Sequence, residues 1–112
     1  MAQFELTQRA FSDLIAIEEY SIYKWGVEQT EKYMSDLYDS FKKIAQKPEI
    51  GQLRMHRSFP FSMAPTGKHF VVYTSVTDGI IILTILHGRQ DIESIIDSMW
   101  YKLSQEIRDI MR

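Results

Sequence analysis

The sequence predicts an α+β domain, and three observations carry that prediction. Two runs of β-branched and aromatic residues, 70–76 and 80–86, flank Thr77, Asp78 and Gly79, the pattern of an antiparallel hairpin. Two amphipathic helical patterns precede that hairpin and a third follows it. Helices and strands segregated in this way, without strict alternation, belong to the α+β class, and 112 residues suit one domain with a single core.

Taken in order, residues 3–6 set Phe4 and Leu6 on one face and Gln3 and Glu5 on the other, a short strand pattern. Thr7 fits a helix N-cap, because its hydroxyl can accept from a free amide of the first turn. The first helix carries Ala10, Leu14, Ile17 and Tyr20 inward, with Phe11, Ile15, Ile22 and Trp25 widening the stripe and Asp13, Glu18 and Glu19 outward. Gly26 ends it in a left-handed conformation. The second helix, about residues 28–46, turns Thr30, Tyr33, Met34, Leu37, Phe41, Ile44 and Ala45 inward. So short a link makes the two an antiparallel hairpin. Lys42, Lys43 and Lys47 gather at its C-terminal end, where cations suit the helix dipole, before Pro48 and Gly51 stop the helix.

Residues 52–58 read as a loop holding Arg54, His56 and Arg57, the densest cationic spot in the chain. A strand then runs through Phe59, Phe61 and Met63, with Pro60 pointing to an edge position or a bulge, and residues 65–67 make the turn into the main hairpin. The run 80–86 hardly alternates, so both of its faces need cover. The helical hairpin is expected on one face. The last helix, capped by Asp91 and apolar along Ile92, Ile95, Ile96, Met99, Leu103, Ile107 and Ile110, is expected on or beside the other, unless a partner chain supplies that cover. The predicted order is strand, helix, helix, strand, strand, strand, helix.

Composition excludes several classes. The chain has no cysteine, which rules out disulfides and thiolate chemistry. No segment has the length and apolarity of a membrane span, and the N-terminal residues lack a leader pattern, so a cytoplasmic location without membrane contact is expected. A formal charge of −2 gives no broad positive field for nucleic-acid phosphates, and direct sequence-specific DNA binding by this chain alone is not expected. His56, His69 and His87 show no ligand spacing, so neither a metal nor another cofactor is expected.

Leu6, Thr7, Ala10, Asp13, Leu14, Ile17 and Tyr20 continue through Trp25, Gly26, Val27, Glu28 and Gln29 to Tyr33, Leu37, Phe41, Ala45, Pro48 and Gly51. Gly67, His69, Val71, Val72 and Tyr73 then lead to Ile82, Ile85, Leu86, His87, Arg89 and Asp91. Together these resemble the ParE toxins of the RelE/ParE superfamily over residues 4–91, while the helix at 91–111 is longer than the tail expected there. The resemblance implies the toxin of a type II toxin-antitoxin system, a protein that poisons DNA gyrase without cleaving bonds itself. It also implies a ParD-like antitoxin, with a ribbon-helix-helix head and a flexible tail that wraps the toxin, and either a homodimer or a hetero-oligomer with that antitoxin. RelE relatives share the fold and instead cut messenger RNA on the ribosome, which is the alternative activity; a degenerate, non-toxic binding homologue is a third.

RNA cleavage by the 2′-hydroxyl needs a base, an acid and positive charge at the scissile phosphate. Thr74 stands where relatives often carry Arg, and only His87, Arg89 and Arg54 are in place as a nuclease set, with Arg57 and His56 nearby in sequence. On the gyrase reading there are no catalytic residues, and His87, Arg89, Arg54 and Arg57 are the target-binding candidates. Tyr73, Ile92, Ile96 and Met99 are the antitoxin-binding candidates. His87 either contacts the target or bonds to backbone or to Asp91; His69 is expected to make structural hydrogen bonds, and Trp25 and Tyr33 to pack. The last helix is either part of the core or an exchangeable cover that competes with the antitoxin tail.

Overall fold

The computed structural model describes residues 2–56, 59–88 and 90–111. A strand β1, Gln3–Leu6, leads into helices α1, Gln8–Trp25, and α2, Val27–Gln46, followed by a 3₁₀ turn at Pro48–Ile50. Four strands come next: β2, Gln52–His56; β3, Phe59–Thr66; β4, His69–Val76; and β5, Gly79–His87. Helix α3, Ile92–Ile110, ends the order. The sheet runs β1-β5-β4-β3-β2, with β1 parallel to β5 and the other pairs antiparallel.

Strand β5 is buried from Gly79 to Leu86 and has a different core on each face. Ile80, Ile82 and Ile85 pack with Leu14, Leu37, Phe41 and Ile44 of the helical hairpin. Ile81, Leu83 and Leu86 pack with Ile96, Leu103 and Ile107 of α3. Each such side chain contributes about 1.5–3 kcal/mol by leaving water. The unalternating run therefore sits inside a three-layer arrangement, and the predicted placement of hairpin and last helix on opposite faces holds. Among the described residues no helix is long and apolar enough to cross a membrane.

The ladder between β4 and β5 steps from Val72 opposite Thr84 to Tyr73 opposite Ile82, so Leu83 is an extra residue, a β-bulge. Pairing with β1 also stops at Ile82. Beyond that point α1 takes over from β1. Thr7 donates its N–H to the Ile82 carbonyl at 3.1 Å and its hydroxyl to the Leu83 carbonyl at 2.8 Å, while the same hydroxyl accepts Ala10 N–H as the helix N-cap. The Asp13 carboxylate accepts the Thr84 hydroxyl and the Ile85 N–H. Asp13, expected to face solvent, thus points at the sheet, because the bulge leaves a buried donor that needs an acceptor.

Several other expectations are corrected. Residues 52–56 form an edge strand, not a loop; Leu53 and Met55 alternate with Gln52, Arg54 and His56, but their apolar members stay exposed beyond the reach of α1 and α2. Pro60 lies in β3, an interior strand, yet before Ser62, where pairing with β4 begins, so its missing N–H removes no bond on that side. Pro65 is likewise within β3, opposite Phe70, and the turn is Gly67 and Lys68 alone. Gly26 ends α1 at a positive φ of 88°, as expected of a residue without Cβ, and with ψ of 170° it also begins α2. On α1, Phe11, Ile15, Tyr20 and Ile22 are exposed, and Ser21 is buried in their stead.

Candidate functional site

His69 opens β4 directly opposite His87, the last residue of β5. Their rings stand 5.8 Å apart at 90°. The Tyr33 oxygen accepts the Lys68 N–H at 3.0 Å and lies 2.6 Å from His69 Nδ1. Tyr33 and His69 Nδ1 thus share one hydrogen bond. Burial raises the pKa of the Tyr33 phenol. His69 is held below its ordinary pKa first by burial, then by the neighbouring charges of His87 and Lys68.

The α1 end of this cluster supplies aromatic walls. Lys68 Nζ lies 4.2 Å over the Trp25 ring, Tyr20 meets Trp25 edge-on at 6.3 Å, and Lys24 Nζ lies 5.9 Å from the Tyr20 centroid. These groups rim a cleft of about 380 Å³ whose floor is Ala16, Ile17 and Ile85. Lys24, Lys68, His69 and His87 line it, and none of its lining residues is a carboxylate. Trp25, assigned to packing from sequence, is therefore a half-exposed part of a cationic, aromatic cleft, while Tyr33 stands beside it and bonds to His69. Nothing local in the sequence signals the cleft, since its parts come from α1, the Gly67 turn, the start of β4 and the end of β5.

Of the predicted cationic rim, the two described residues, Arg54 and His87, do not meet. Arg54 on β2 pairs with Phe61, a member of the α3-side core, so its side chain leaves the sheet on the α3 face. There it lines a groove of about 510 Å³ with Gln52, Phe70, Gly88 and Ile92. His87 shares the opposite face with His69, which touches Tyr33 of α2. The sheet stands between Arg54 and His87, so a base and a phosphate-binding cation from these two do not converge. Arg57 and Arg89 lie outside the described residues. Thr74 is buried and donates to the Pro60 carbonyl at 3.0 Å.

His87 does not bond to Asp91. Its N–H donates to Gln90 Oε1 at 2.7 Å, and Asp91 instead caps α3 through Ser94. His69, by its bond with Tyr33, is the structural hydrogen-bonding residue expected. The third histidine, His56, is elsewhere: its Nε2 lies 3.6 Å from Asp97 Oδ1 and its ring packs near Trp100 of α3. Among the described residues no group of three or more His, Cys, Asp or Glu side chains could hold a metal ion.

Of the antitoxin-binding candidates, Tyr73 has no exposed surface. Its hydroxyl donates to the Pro48 carbonyl at 2.6 Å and accepts the Gly51 N–H at 2.9 Å, pinning the chain after α2 to the sheet. Its ring sits in the hairpin-side core, so it offers nothing to a partner here. Ile96 is also fully buried, on the inner face of α3, while Ile92 and Met99 are partly buried against the same core. These three residues belong to the inner face of α3, and Ile96 is no surface contact in this structure.

The family model described as ParE toxin of type II toxin-antitoxin system, parDE, matches residues 4–92. The chain belongs to the ParE toxin family. It is 33% identical over 87 residues to Toxin ParE1 of Caulobacter vibrioides, covering 78% of this chain and 90% of that one. Toxin ParE1 of Mycobacterium tuberculosis is 26% identical over 93 residues, covering 82% and 95%. A solved structure titled "Chromosomal ParDE TA system from P. aeruginosa" shares the fold, with a TM-score of 0.65 and 21% identity over 78% of this chain and 96% of that one. The ParE match ends at the first residue of α3, so the rest of this helix lies outside it.

Proposed function

We propose that this ParE family member is a toxin that inhibits DNA gyrase and is neutralised by a ParD-like antitoxin. The observation that carries the proposal is the family match across 4–92, which spans the whole sheet and both helices of the hairpin. The separation of Arg54 from His87 by the sheet favours a protein that grips its target over one that cleaves RNA. His87 and Arg54 are then contact residues on two faces, together with Arg57 and Arg89. Tyr73 and Ile96 act behind the surface, while Ile92 and Met99 reach an antitoxin tail at the α3 edge.

The test is a supercoiling and cleavage assay with purified gyrase, run beside translation of a reporter message. Gyrase-linked DNA breaks with intact translation are expected, along with growth arrest and filamentation on induction. Loss of translation with gyrase unaffected replaces this reading by RNA cleavage. Absence of both effects makes the chain a binding homologue.

A further inference from the structure

A cleft opens where α1, the Gly67 turn and the end of β5 meet. Its charge is one-sided: Lys24, Lys68, His69 and His87 face it, and the carboxylates of Glu18 and Glu19 on α1 are not among its lining residues. The floor is apolar, formed by Ala16, Ile17 and Ile85, and the walls are Tyr20 and Trp25. Lys68 is held in place over Trp25, so its ammonium is already positioned before anything binds. His69 carries less positive charge than an isolated histidine because it is half-buried beside His87 and Lys68, and an anion would relieve that repulsion.

We propose that this cleft docks an acidic segment of a protein partner, one carboxylate-bearing stretch with an apolar side chain beside it. The apolar residue enters between Tyr20, Trp25 and Ile85, and the carboxylate meets Lys68 and the two histidines. A nucleic-acid strand fits less well. The cationic surface is one short cleft rather than a stripe, and the chain as a whole has a net charge of −2, which repels a long polyanion. Identifying the partner as the antitoxin rests on the toxin reading; the chemistry of the cleft does not.

Fluorescent titration of the full chain with a short peptide of Leu and Glu tests the proposal, beside a Leu and Lys peptide of equal length and a thymidine oligonucleotide. The acidic peptide is expected to bind, more weakly at high salt, and the double variant Lys24→Glu/Lys68→Glu to weaken it at least about tenfold. Lys24→Arg/Lys68→Arg should bind it as the parent does, and circular dichroism should show both variants folded. Failure of the acidic peptide to bind, equal binding by the folded Glu variant, or tighter binding of the oligonucleotide overturns the proposal. Growth arrest on induction is scored separately. A chain that binds the acidic peptide without arresting growth keeps the cleft and loses the toxin reading, and a toxic chain indifferent to the peptide does the reverse.

Discussion

The Asp13 carboxylate of α1 accepts the backbone N–H of Ile85 at 3.0 Å and, through the same oxygen, the Thr84 hydroxyl. This contact closes the edge of β5 where β1 has ended and the Leu83 bulge has shifted the ladder. Replacing Asp13 by Ala leaves a buried amide and a buried hydroxyl without an acceptor, a loss of about 2–3 kcal/mol. Asp13→Asn keeps an oxygen at the same place and should lose less. Urea unfolding checks both, with a lower midpoint and an unchanged slope expected for the alanine variant.

His69 predicts a pH dependence. Burial, then His87 and Lys68, hold its pKa below the ordinary 6.5. Between the folded value and 6.5 the unfolded chain binds a proton that the folded chain does not, so stability rises with pH through that window. Acidification below about pH 6.5 therefore destabilises the fold, and above it this contribution is flat. The effect should be larger in the parent than in His69→Gln, as measured by urea midpoints across that range. An NMR titration of the His69 ring should show a midpoint below the ordinary value.

Gly79 begins β5 with φ of 154° and pairs with Gln3. A Cβ there would lie 1.7 Å from the Gln3 carbonyl oxygen, so β1 must leave or shift. Gly79→Ala is expected to cost more than about 3 kcal/mol, through both backbone strain and the loss of parallel pairing. Hydrogen exchange should show residues 3–6 unprotected first, with the β3 and β4 amides following only on global unfolding.

The sequence made the buried ribbon legible because Ile80 to Leu86 lack any polar face, and that single feature requires two covering layers. Helices followed from spacing, and the caps at Thr7 and Asp91 from side-chain chemistry, both of which the structure retains. Strand β2 was hidden by its edge position: a strand with no second face to bury shows only the weak alternation of Leu53 and Met55. Asp13 was hidden for a different reason. An acid on a helix has the pattern of a solvated group, and only the fold shows that β1 ends beside it and leaves the Ile85 amide open. The His69 cleft is the hardest case, since its residues are separated along the chain and meet only after folding. Arg54 and His87 present the opposite case, since charge alone groups them in the sequence while they lie on two faces of one sheet.

Helix α3 is the part of the chain outside the ParE match, and its two readings make different predictions. Leu103 is buried against the Phe61, Ile81 and Leu83 face, while Tyr101, two residues away, is largely exposed. If α3 is part of the core, Leu103→Ala opens a cavity worth about 2–5 kcal/mol, and Tyr101→Ala changes stability by less than about 0.5 kcal/mol. The anchors favour this outcome: Glu106 accepts the Gln8 N–H of α1 at 2.7 Å, and Trp100 packs on Phe59 of β3 with ring centroids 5.1 Å apart. An exchangeable cover would instead undock locally, so its amides would exchange well before those of β5, and Leu103→Ala would speed exchange in α3 without lowering the global unfolding midpoint. Hydrogen exchange of the parent and the Leu103 variant separates the two. Deleting residues 92–112 extends the test, since it bares Phe61, Val72, Ile81, Leu83 and Leu86 at once. A core helix then leaves an aggregating, dye-binding chain, whereas an exchangeable one leaves a soluble domain that binds its antitoxin at least as tightly as before.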